Sequence, residues 1–233
     1  ITDLVFTTVN WATPQTVTVK ATQDFIDEID PENAVLEHTI LSADTNYTAA
    51  PIKPADITIG VHDDDVAGFT LTNAGPTDVD VLETGTTSDT FQVVLNSQPL
   101  TPVTLTPGFT IPGQATLTTG ALTFTPLNWN VPQDVTVQAI DDSIDELEPH
   151  TTGVSLAVTG DAQYTGLAAP ATTTVNIHDD DTAAFVITPL TGLAVLEAGT
   201  TSDTYTVALA TQPAVDVVFT PAVSDGPARK RPN

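Results

Sequence analysis

Two clusters of three consecutive aspartates are the residues of this sequence with the clearest chemistry. Each cluster follows a histidine: His62 precedes Asp63, Asp64 and Asp65, and His178 precedes Asp179, Asp180 and Asp181. Adjacent carboxylates repel one another unless they stay in water or meet a multivalent cation. Carboxylate oxygens are the ligands that Ca²⁺ prefers in proteins. A solvated acidic linker would explain one cluster, whereas two clusters in similar surroundings favour built-in calcium sites.

The two clusters belong to an internal repeat that covers almost the whole sequence. Trp11 recurs as Trp129 after 118 positions, and Leu82 recurs as Leu196 after 114. The aspartate clusters themselves lie 116 positions apart. A unit of this length is too long for a solenoid repeat and has the size of a whole domain. We therefore predict a tandem array of domains that differ by small loop deletions.

Segments in which polar and apolar residues alternate would position these clusters. The alternation is clearest over residues 15–19, 134–139, 172–177 and 204–209, and it is typical of strands with one buried face. Glycine and proline turn signals separate these segments at the spacing of a β-sandwich. The pattern predicts an all-β fold in which antiparallel sheets enclose a core of valine, leucine and isoleucine.

The composition restricts the partners of the protein. Thirty acidic residues stand against five basic ones, which gives a formal net charge of -25. Nucleic acid and anionic membranes are therefore excluded as expected partners, whereas multivalent cations are favoured. Cysteine is absent, so disulfides and thiolate metal sites are excluded as well. Because no apolar run approaches the roughly 20 residues of a membrane span, no membrane insertion is predicted.

The phase of the repeat divides the chain into one complete unit and two halves. Residues 66–181 form a complete domain, residues 1–65 the second half of another, and residues 182–233 the first half of a third. Neither half could bury its core alone, because each would leave an open sheet edge and an exposed apolar face. Two explanations fit: the chain is a piece of a longer array, or separate subunits join head to tail. Head-to-tail completion that does not close on itself would produce a filament.

Several motifs of the repeat, taken in order, resemble one known family. The matching segments are Val81-Leu82-Glu83 with Gly85, Leu122-Thr123-Phe124, Val135-Thr136-Val137, Ile140-Asp141-Asp142 with Glu146, and Asp179-Asp180-Asp181. The unit is similar to a Calx-β domain, the calcium-binding sandwich of sodium–calcium exchangers and integrin β4. Such domains are abundant in large bacterial surface proteins. The resemblance covers essentially the whole chain and implies tandem Greek-key, immunoglobulin-like β-sandwiches arranged end to end.

The resemblance also implies a set of metal ligands at one end of each sandwich. In the complete unit the implied calcium ligands are Glu83, Asp141, Asp142, Glu146, Asp179, Asp180 and Asp181. In the divided unit they are Glu197, Asp24, Glu28, Asp63, Asp64 and Asp65. Gln23 replaces the first of the paired aspartates there, so this second site is expected to be weaker. The additional loop aspartate of the family has no match in residues 107–120.

Other chemistry receives little support from the sequence. Carboxylate pairs for glycoside hydrolysis can be found in any acidic protein, and no phosphate loop, zinc-protease motif or nucleophile elbow is present. His62 and His178 are repeat equivalents and resemble strand-end residues, while His38 and His150 carry no motif. We therefore predict that the chain is not an enzyme.

These observations favour a structural protein at a bacterial cell surface or outside the cell. Calcium at the domain junctions would remove hinge freedom and convert an array into a stiff fibre or filament. The expected partners are copies of the chain joined head to tail, or adjacent repeats of a longer chain. The alternative is an adhesin or ligand-binding module of a large surface protein, with a surface glycan or a protein as its target.

Overall fold

The computed structural model describes residues 3–48, 52–73, 79–196 and 201–222 of the chain. Almost all regular structure in these residues is β-strand, and the two helices are single turns. In chain order the elements are β1 (Glu32–Leu36), α1 (Thr45–Thr48), β2 (Ile57–Val61), β3 (Phe69–Thr72), β4 (Val79–Leu82), β5 (Ser88–Leu95), β6 (Val103–Phe109), β7 (Ala115–Leu117), β8 (Leu122–Phe124), β9 (Gln133–Ala139), β10 (His150–Gly160), α2 (Ala162–Thr165), β11 (Thr173–His178), β12 (Phe185–Thr188) and β13 (Thr206–Leu209).

Two sheets between residues 69 and 178 form the central sandwich. One sheet has the strand order β4-β11-β10-β6-β8, and the other has the order β3-β5-β9-β7. The neighbouring strands are antiparallel except β4 and β11, which run parallel. The predicted all-β sandwich is confirmed. Both sheets lie within residues 66–181, the range predicted to be a complete domain.

Alternation along the strands builds the core of the sandwich. On β9, Val135 and Val137 are fully buried, while Thr136 between them is only half-buried. On β11, Val175 and Ile177 point inward in the same way. The predicted strands over residues 134–139 and 172–177 are therefore confirmed. Their apolar side chains point toward the opposite sheet, as the period of two requires.

A buried tyrosine closes the end of the sandwich where β10 finishes. The hydroxyl of Tyr164 donates to the carbonyl oxygen of Ser97 at 2.6 Å, and its ring is fully buried. Asp161 accepts hydrogen bonds from the N–H of Gln163 at 2.9 Å and the N–H of Thr101 at 2.7 Å. These contacts tie α2 to the loop that connects β5 and β6, so the strand ends at this side are fixed.

Gly160 is required for the chain to leave β10 at this point. Its φ angle is +109°, and a Cβ atom placed on it would lie 2.1 Å from the carbonyl oxygen of Pro102. Any other residue would therefore meet both backbone strain and a direct clash.

Two hairpins flank the sandwich in the described residues and remain largely exposed. They consist of β1 with β2 and of β12 with β13. The predicted strand over residues 204–209 is confirmed for residues 206–209. The strand predicted over residues 15–19 does not form in this described segment, because β9, its repeat equivalent, is held by β5 and β7, and the equivalent of β5 would belong to a preceding unit. Val17 is accordingly 37% exposed, whereas its equivalent Val135 is fully buried.

Neither helix of the described residues is long and apolar enough to cross a membrane.

Candidate metal centre

Three chain segments converge at the end of the sandwich where β4, β9 and β11 finish. Glu83 follows β4, Asp141 follows β9, and Asp179 follows β11. Because β4 and β11 are parallel neighbours, their carboxyl ends meet at the same edge of the sheet. The N–H of Glu83 donates to the carbonyl oxygen of His178 at 3.0 Å and extends this pairing into the loops. The topology thus brings acidic residues together that are nearly 100 positions apart in sequence.

Glu83 lies at the centre of the acidic groups. Glu83 belongs to three groups of residues whose potential metal-ligating atoms lie within 4.8 Å of one another. The groups are Glu83 with Asp179 and Asp181, Glu83 with Asp141 and Asp180, and Glu83 with Glu146 and His150. One carboxylate can therefore share a cation with any of the three surrounding segments.

The environment of Glu83 disfavours an isolated negative charge. Its side chain is 1% exposed, and its Oε2 atom has no hydrogen-bond partner in the described part of the chain. The pKa of Glu83 is raised to about 7, mainly by burial and also by the negative charges of Asp142, Glu146 and Asp179. A carboxylate of this kind is stable when it holds a proton or when it contacts a cation.

The aspartate cluster that follows β11 has an ordered loop conformation. Asp179 accepts hydrogen bonds from the N–H of Glu146 at 2.8 Å and from the N–H of Asp181 at 3.0 Å. These donors hold the pKa of Asp179 below its usual value. Burial, followed by the charges of Asp179 and Asp180, raises the pKa of Asp181. Neighbouring carboxylates are therefore held in different electrostatic environments by the same turn.

Of the seven ligands implied for the complete unit, six lie in the close groups around Glu83 and one does not. Glu83, Asp141, Glu146, Asp179, Asp180 and Asp181 contribute atoms to the close groups. Asp142 instead accepts the N–H of Ile144 at 2.7 Å and thereby shapes the loop between β9 and β10. Its negative charge nevertheless contributes to the raised pKa of Glu83.

Sequence reasoning missed His150. This residue begins β10, and its Nε2 atom lies 3.1 Å from Oε2 of Glu146. It carries no motif, but two signals could have identified it. It lies four positions after Glu146, an implied ligand, and the repeat places a glutamate, Glu32, at the equivalent position.

The acidic residues of the divided unit form a related cluster before the central sandwich. Asp63, Asp64 and Asp65 have ligand atoms within 4.8 Å of one another. The N–H of Glu28 donates to Asp63 at 2.8 Å, which matches the contact between Glu146 and Asp179. Asp24 accepts the N–H of Ile26 at 2.9 Å, as Asp142 does with Ile144. Glu197, the remaining implied ligand, lies outside the described residues.

Gln23 changes the chemistry of this second cluster. Its Nε2 atom donates to Oδ1 of Asp64 at 3.0 Å. In the complete unit the equivalent residues are Asp141 and Asp180, two carboxylates whose oxygen atoms lie within 4.8 Å of each other. An amide donor thus stabilises a contact that is repulsive in the complete unit.

Both acidic loops also contact the chain segment that follows them. Asp27 accepts the N–H of Ala67 at 2.8 Å, and Asp145 accepts the N–H of Ala183 at 2.8 Å. The carbonyl oxygen of Phe25 accepts the N–H of Gln98 at 2.6 Å, and that of Ser143 accepts the N–H of Gln212 at 2.7 Å. These pairs lie at equivalent positions of the repeat, so each cluster lies at a junction with the next unit.

The histidines beside the aspartate clusters have similar surroundings. His62 pairs with Asp30 at 2.8 Å, and His178 pairs with Glu148 at the equivalent position. The hydrogen bond that the ring of His178 donates to Glu148 is the main cause of the raised pKa of His178. Both contacts are exposed ion pairs at the end of a strand, as the sequence interpretation of these histidines expects.

The fold and the site define an all-β sandwich protein with an acidic cluster at the exit of its central domain. Solved structures similar to the chain include the apo form of the Calx CBD1 domain, with 23% identity and a TM-score of 0.34, over 44% of this chain and 90% of that domain. The calcium binding domain CBD12 of CALX1.1 (21% identity, TM-score 0.32) and CBD12 from CALX1.2 (23%, 0.33) also match over 44% of this chain. The chain spans about two fifths of those two proteins, 42% and 41%. No family model and no curated protein matches the chain.

Proposed function

We propose that the acidic cluster around Glu83 binds Ca²⁺ and that the chain is a structural, non-enzymatic protein. The buried carboxylate of Glu83 carries this proposal, because its Oε2 atom is buried without a partner in the described residues at the centre of three acidic segments. Ca²⁺ takes six to eight oxygen ligands, and a bound ion would neutralise the repulsion among these carboxylates. The residues that would hold it are Glu83, Asp141, Asp142, Glu146, Asp179, Asp180 and Asp181.

The position of the cluster supports a mechanical role for the ion. The loop that contains Asp141 and Glu146 also contacts Ala183 and Gln212, which belong to the following unit. An ion held by this loop and by residues 179–181 would restrict the hinge between the two units. Because binding favours the ordered state, it also stabilises the junction by mass action. The chain would then act as a stiff segment of an extracellular or cell-surface fibre.

Two measurements on the chelator-treated chain test calcium binding. Isothermal titration should detect Ca²⁺ binding, with Mg²⁺ much weaker because that ion demands a rigid octahedral site. Asp180→Asn should weaken Ca²⁺ binding, whereas Asp134→Asn, which alters an acidic residue hydrogen-bonded to Gln92 on the sheet, should not. Equal binding of the two ions, or an unchanged Asp180→Asn variant, would contradict the proposed site.

Small-angle scattering tests the mechanical role separately. With Ca²⁺ the chain should be more extended and less variable in shape than after chelation. If titration detects the ion but scattering profiles are identical with and without it, calcium is bound and the stiffening role is wrong.

The flanking halves support a proposal about assembly. Phe6 is 56% exposed and Val217 is 48% exposed, whereas their repeat equivalents in the central sandwich, Phe124 and Val103, are fully buried. The segments before and after the central sandwich carry different parts of the same strand set. We therefore propose that a complementary half from another copy, or from an adjacent repeat of a longer chain, completes each sandwich.

Electron microscopy and sedimentation of the 233-residue chain test completion by another copy. Filaments with a repeat of about two domain lengths are expected. Val17→Asp should abolish assembly, because this residue is equivalent to buried Val135, and Thr18→Asp on the opposite strand face should leave it intact. A monomer at all concentrations would overturn assembly between copies and leave adjacent repeats as the source of the missing half.

A further inference from the structure

A histidine-containing group lies beside the carboxylates assigned to calcium. Nε2 of His150 is 3.1 Å from Oε2 of Glu146 and 3.7 Å from Oε1 of Glu83. One ligand atom from each of the three residues lies within 4.8 Å of the other two. The group joins residues from three places in the fold: the end of β4, the loop after β9 and the start of β10.

The polar atoms of this group are buried and unsatisfied. Glu83 is 1% exposed, and its Oε2 atom lacks a hydrogen-bond partner in the described residues. Oε2 of Glu146 and both ring nitrogens of His150 also form no hydrogen bond there, although Nε2 of His150 lies within ion-pair distance of that Oε2 atom. Gln114 donates to the other oxygen of Glu146 at 3.3 Å, which fixes this carboxylate and leaves Oε2 available. Buried polar atoms that lack partners are uncommon, and a shared cation would satisfy them together.

The spacing of the donor atoms fits a small four-coordinate ion. Zinc lies about 2.0–2.2 Å from histidine nitrogen and carboxylate oxygen, so neighbouring ligands in a tetrahedron are about 3.3–3.5 Å apart. The distances of 3.1 Å and 3.7 Å from His150 to its two carboxylates lie on either side of this value. Small side-chain movements would therefore suffice to complete the geometry.

The imidazole decides which class of ion the group favours. Ca²⁺ and Mg²⁺ take oxygen ligands, whereas imidazole nitrogen suits zinc and the neighbouring transition metals. The equivalent position in the divided unit is Glu32, which offers oxygen only. The central sandwich alone therefore places a nitrogen donor in this position. An open groove lined by Gln114, Glu146 and His150 gives solvent access to it.

We propose that Glu83, Glu146 and His150 form a binding site for a divalent transition metal such as Zn²⁺, with water as a further ligand. The site is distinct in chemistry from the proposed calcium site but shares Glu83 and Glu146 with it. The two classes of ion should therefore compete at the same junction. Binding of the transition metal does not require calcium, so either proposal can fail without the other.

Cobalt provides the probe, because Co²⁺ replaces Zn²⁺ and its visible absorption reports the ligands. The chelator-treated chain should bind one Co²⁺ with the strong absorption of a four-coordinate site, and Zn²⁺ should remove that absorption. His150→Gln should weaken Co²⁺ and Zn²⁺ binding by about tenfold or more, because one of three protein ligands is lost. Calcium binding measured by titration should change little in this variant.

His178→Gln is the matched control. His178 also lies between two acidic residues, Glu148 and Asp80, but its ring is in an exposed ion pair. Cobalt binding should be unchanged in this variant. Unchanged cobalt binding in His150→Gln, or loss in His178→Gln alone, would overturn the proposal. Glu83→Gln should weaken both classes of ion.

Nuclear magnetic resonance of the unmodified chain tests the site without the His150 substitution. Among the four histidine rings, the first to broaden on addition of Co²⁺ should be that of His150. The His38→Gln, His62→Gln and His178→Gln variants assign the other three rings, and these exposed or half-buried positions should tolerate the change. First broadening of any of those three rings would overturn the proposed site even if His150→Gln fails to fold.

Discussion

The two acidic clusters share one loop framework and differ in the side chains that it carries. In both, a glutamate N–H donates to the first aspartate of the triplet, and a second aspartate accepts the N–H two positions ahead. In both, the loop contacts the following segment through the same two hydrogen bonds, one accepted by an aspartate side chain and one by a backbone carbonyl. The differences that change the side-chain chemistry most are Asp141 against Gln23, His150 against Glu32, and Ser143 against Phe25.

This comparison separates residues that shape the loops from residues that set their chemistry. Asp142 and Asp179, like Asp24 and Asp63, accept backbone N–H groups and hold the loop. At two of the variable positions the side chains lie beside other charged groups, as in the contacts of Gln23 with Asp64 and of His150 with Glu146. Under the proposed function, the chain would keep its junction geometry while the ion bound at each junction changes.

Among the substitutions that test the difference between the two clusters, Glu83→Gln should have the largest effect on calcium affinity. Removal of the central carboxylate should weaken Ca²⁺ binding at the complete cluster about 1000-fold, or about 4 kcal/mol. Calorimetric titration measures this loss. Asp64→Asn in the other cluster serves as the control and should leave the binding of the complete cluster unchanged. Similar losses in both variants would mean that the two clusters do not differ as proposed.

The second prediction concerns pH. The pKa of Glu83 is about 7 in the folded chain and 4.5 as the ordinary value, so the folded state holds an extra proton between these limits. Without metal, the free energy of unfolding should therefore decrease as pH rises from about 4.5 through 7, by on the order of 3 kcal/mol. Urea unfolding in chelator at several pH values measures this slope. The groups that face Glu83 are Asp142, Glu146, Asp179 and His150.

Bound calcium should cancel this pH dependence of the unfolding free energy, because the calcium-bound state keeps no extra proton on Glu83. Calcium must displace the proton of Glu83, so its affinity should fall by about tenfold per pH unit below 7. In the Glu83→Gln variant, the unfolding free energy without metal and the calcium affinity should both depend less on pH between about 4.5 and 7. Persistence of the slope without metal in that variant would assign it to another group.

A reciprocal exchange would test the difference between Asp141 and Gln23. Asp141→Gln should weaken calcium binding at the complete cluster about tenfold, because one ligand is lost and the amide can bond to Asp180. Gln23→Asp should strengthen binding at the other cluster by a smaller factor, because it adds a carboxylate beside Asp64. Calorimetric titration of both single variants measures the exchange. The two substitutions should change calcium affinity in opposite directions. A loss of affinity in both variants would refute the proposed equivalence of Asp141 and Gln23.

The smallest expected effect concerns the aromatic contact present at one junction. The ring centroids of Phe25 and Trp129 lie 5.8 Å apart, and the second junction has Ser143 in place of Phe25. Phe25→Ser should weaken docking of the first junction by about 1 kcal/mol. Hydrogen exchange of the Gln98 amide, which donates to the backbone of Phe25, would report this as faster exchange. Phe25→Leu keeps an apolar contact and should lose less.

The sequence predicted the sandwich, because the repeat and the alternation carry this information directly. Glu83 could be placed beside Asp179 only through the resemblance, since the parallel pairing of β4 and β11 is a tertiary contact between distant segments. The strand predicted over residues 15–19 was wrong for a similar reason. An alternating pattern indicates that one face of a segment is suited to burial. A strand also needs a neighbouring strand with which to form hydrogen bonds.

Two sequence signals pointed to His150, its spacing from Glu146 and the acidic equivalent Glu32, but neither of them places it beside Glu83. Its closeness to Glu83 depends on the path of the chain through the five strands β5 to β9. The burial of Glu83 was equally hidden, because glutamate is rarely found inside a protein. Both facts follow from packing rather than from spacing.

The parallel pairing of β4 and β11 also determines how the domain would respond to stretching. Tension applied along the chain would pull β4 from its amino end and β11 from its carboxyl end, so the two strands would slide lengthwise past each other. This geometry loads the bonds of the ladder, from Val79 with Val175 to Leu82 with His178, at the same time. A pulled antiparallel hairpin instead opens one bond after another. After β3 is pulled from β5, the domain would therefore resist lengthwise tension through the whole β4–β11 ladder at once.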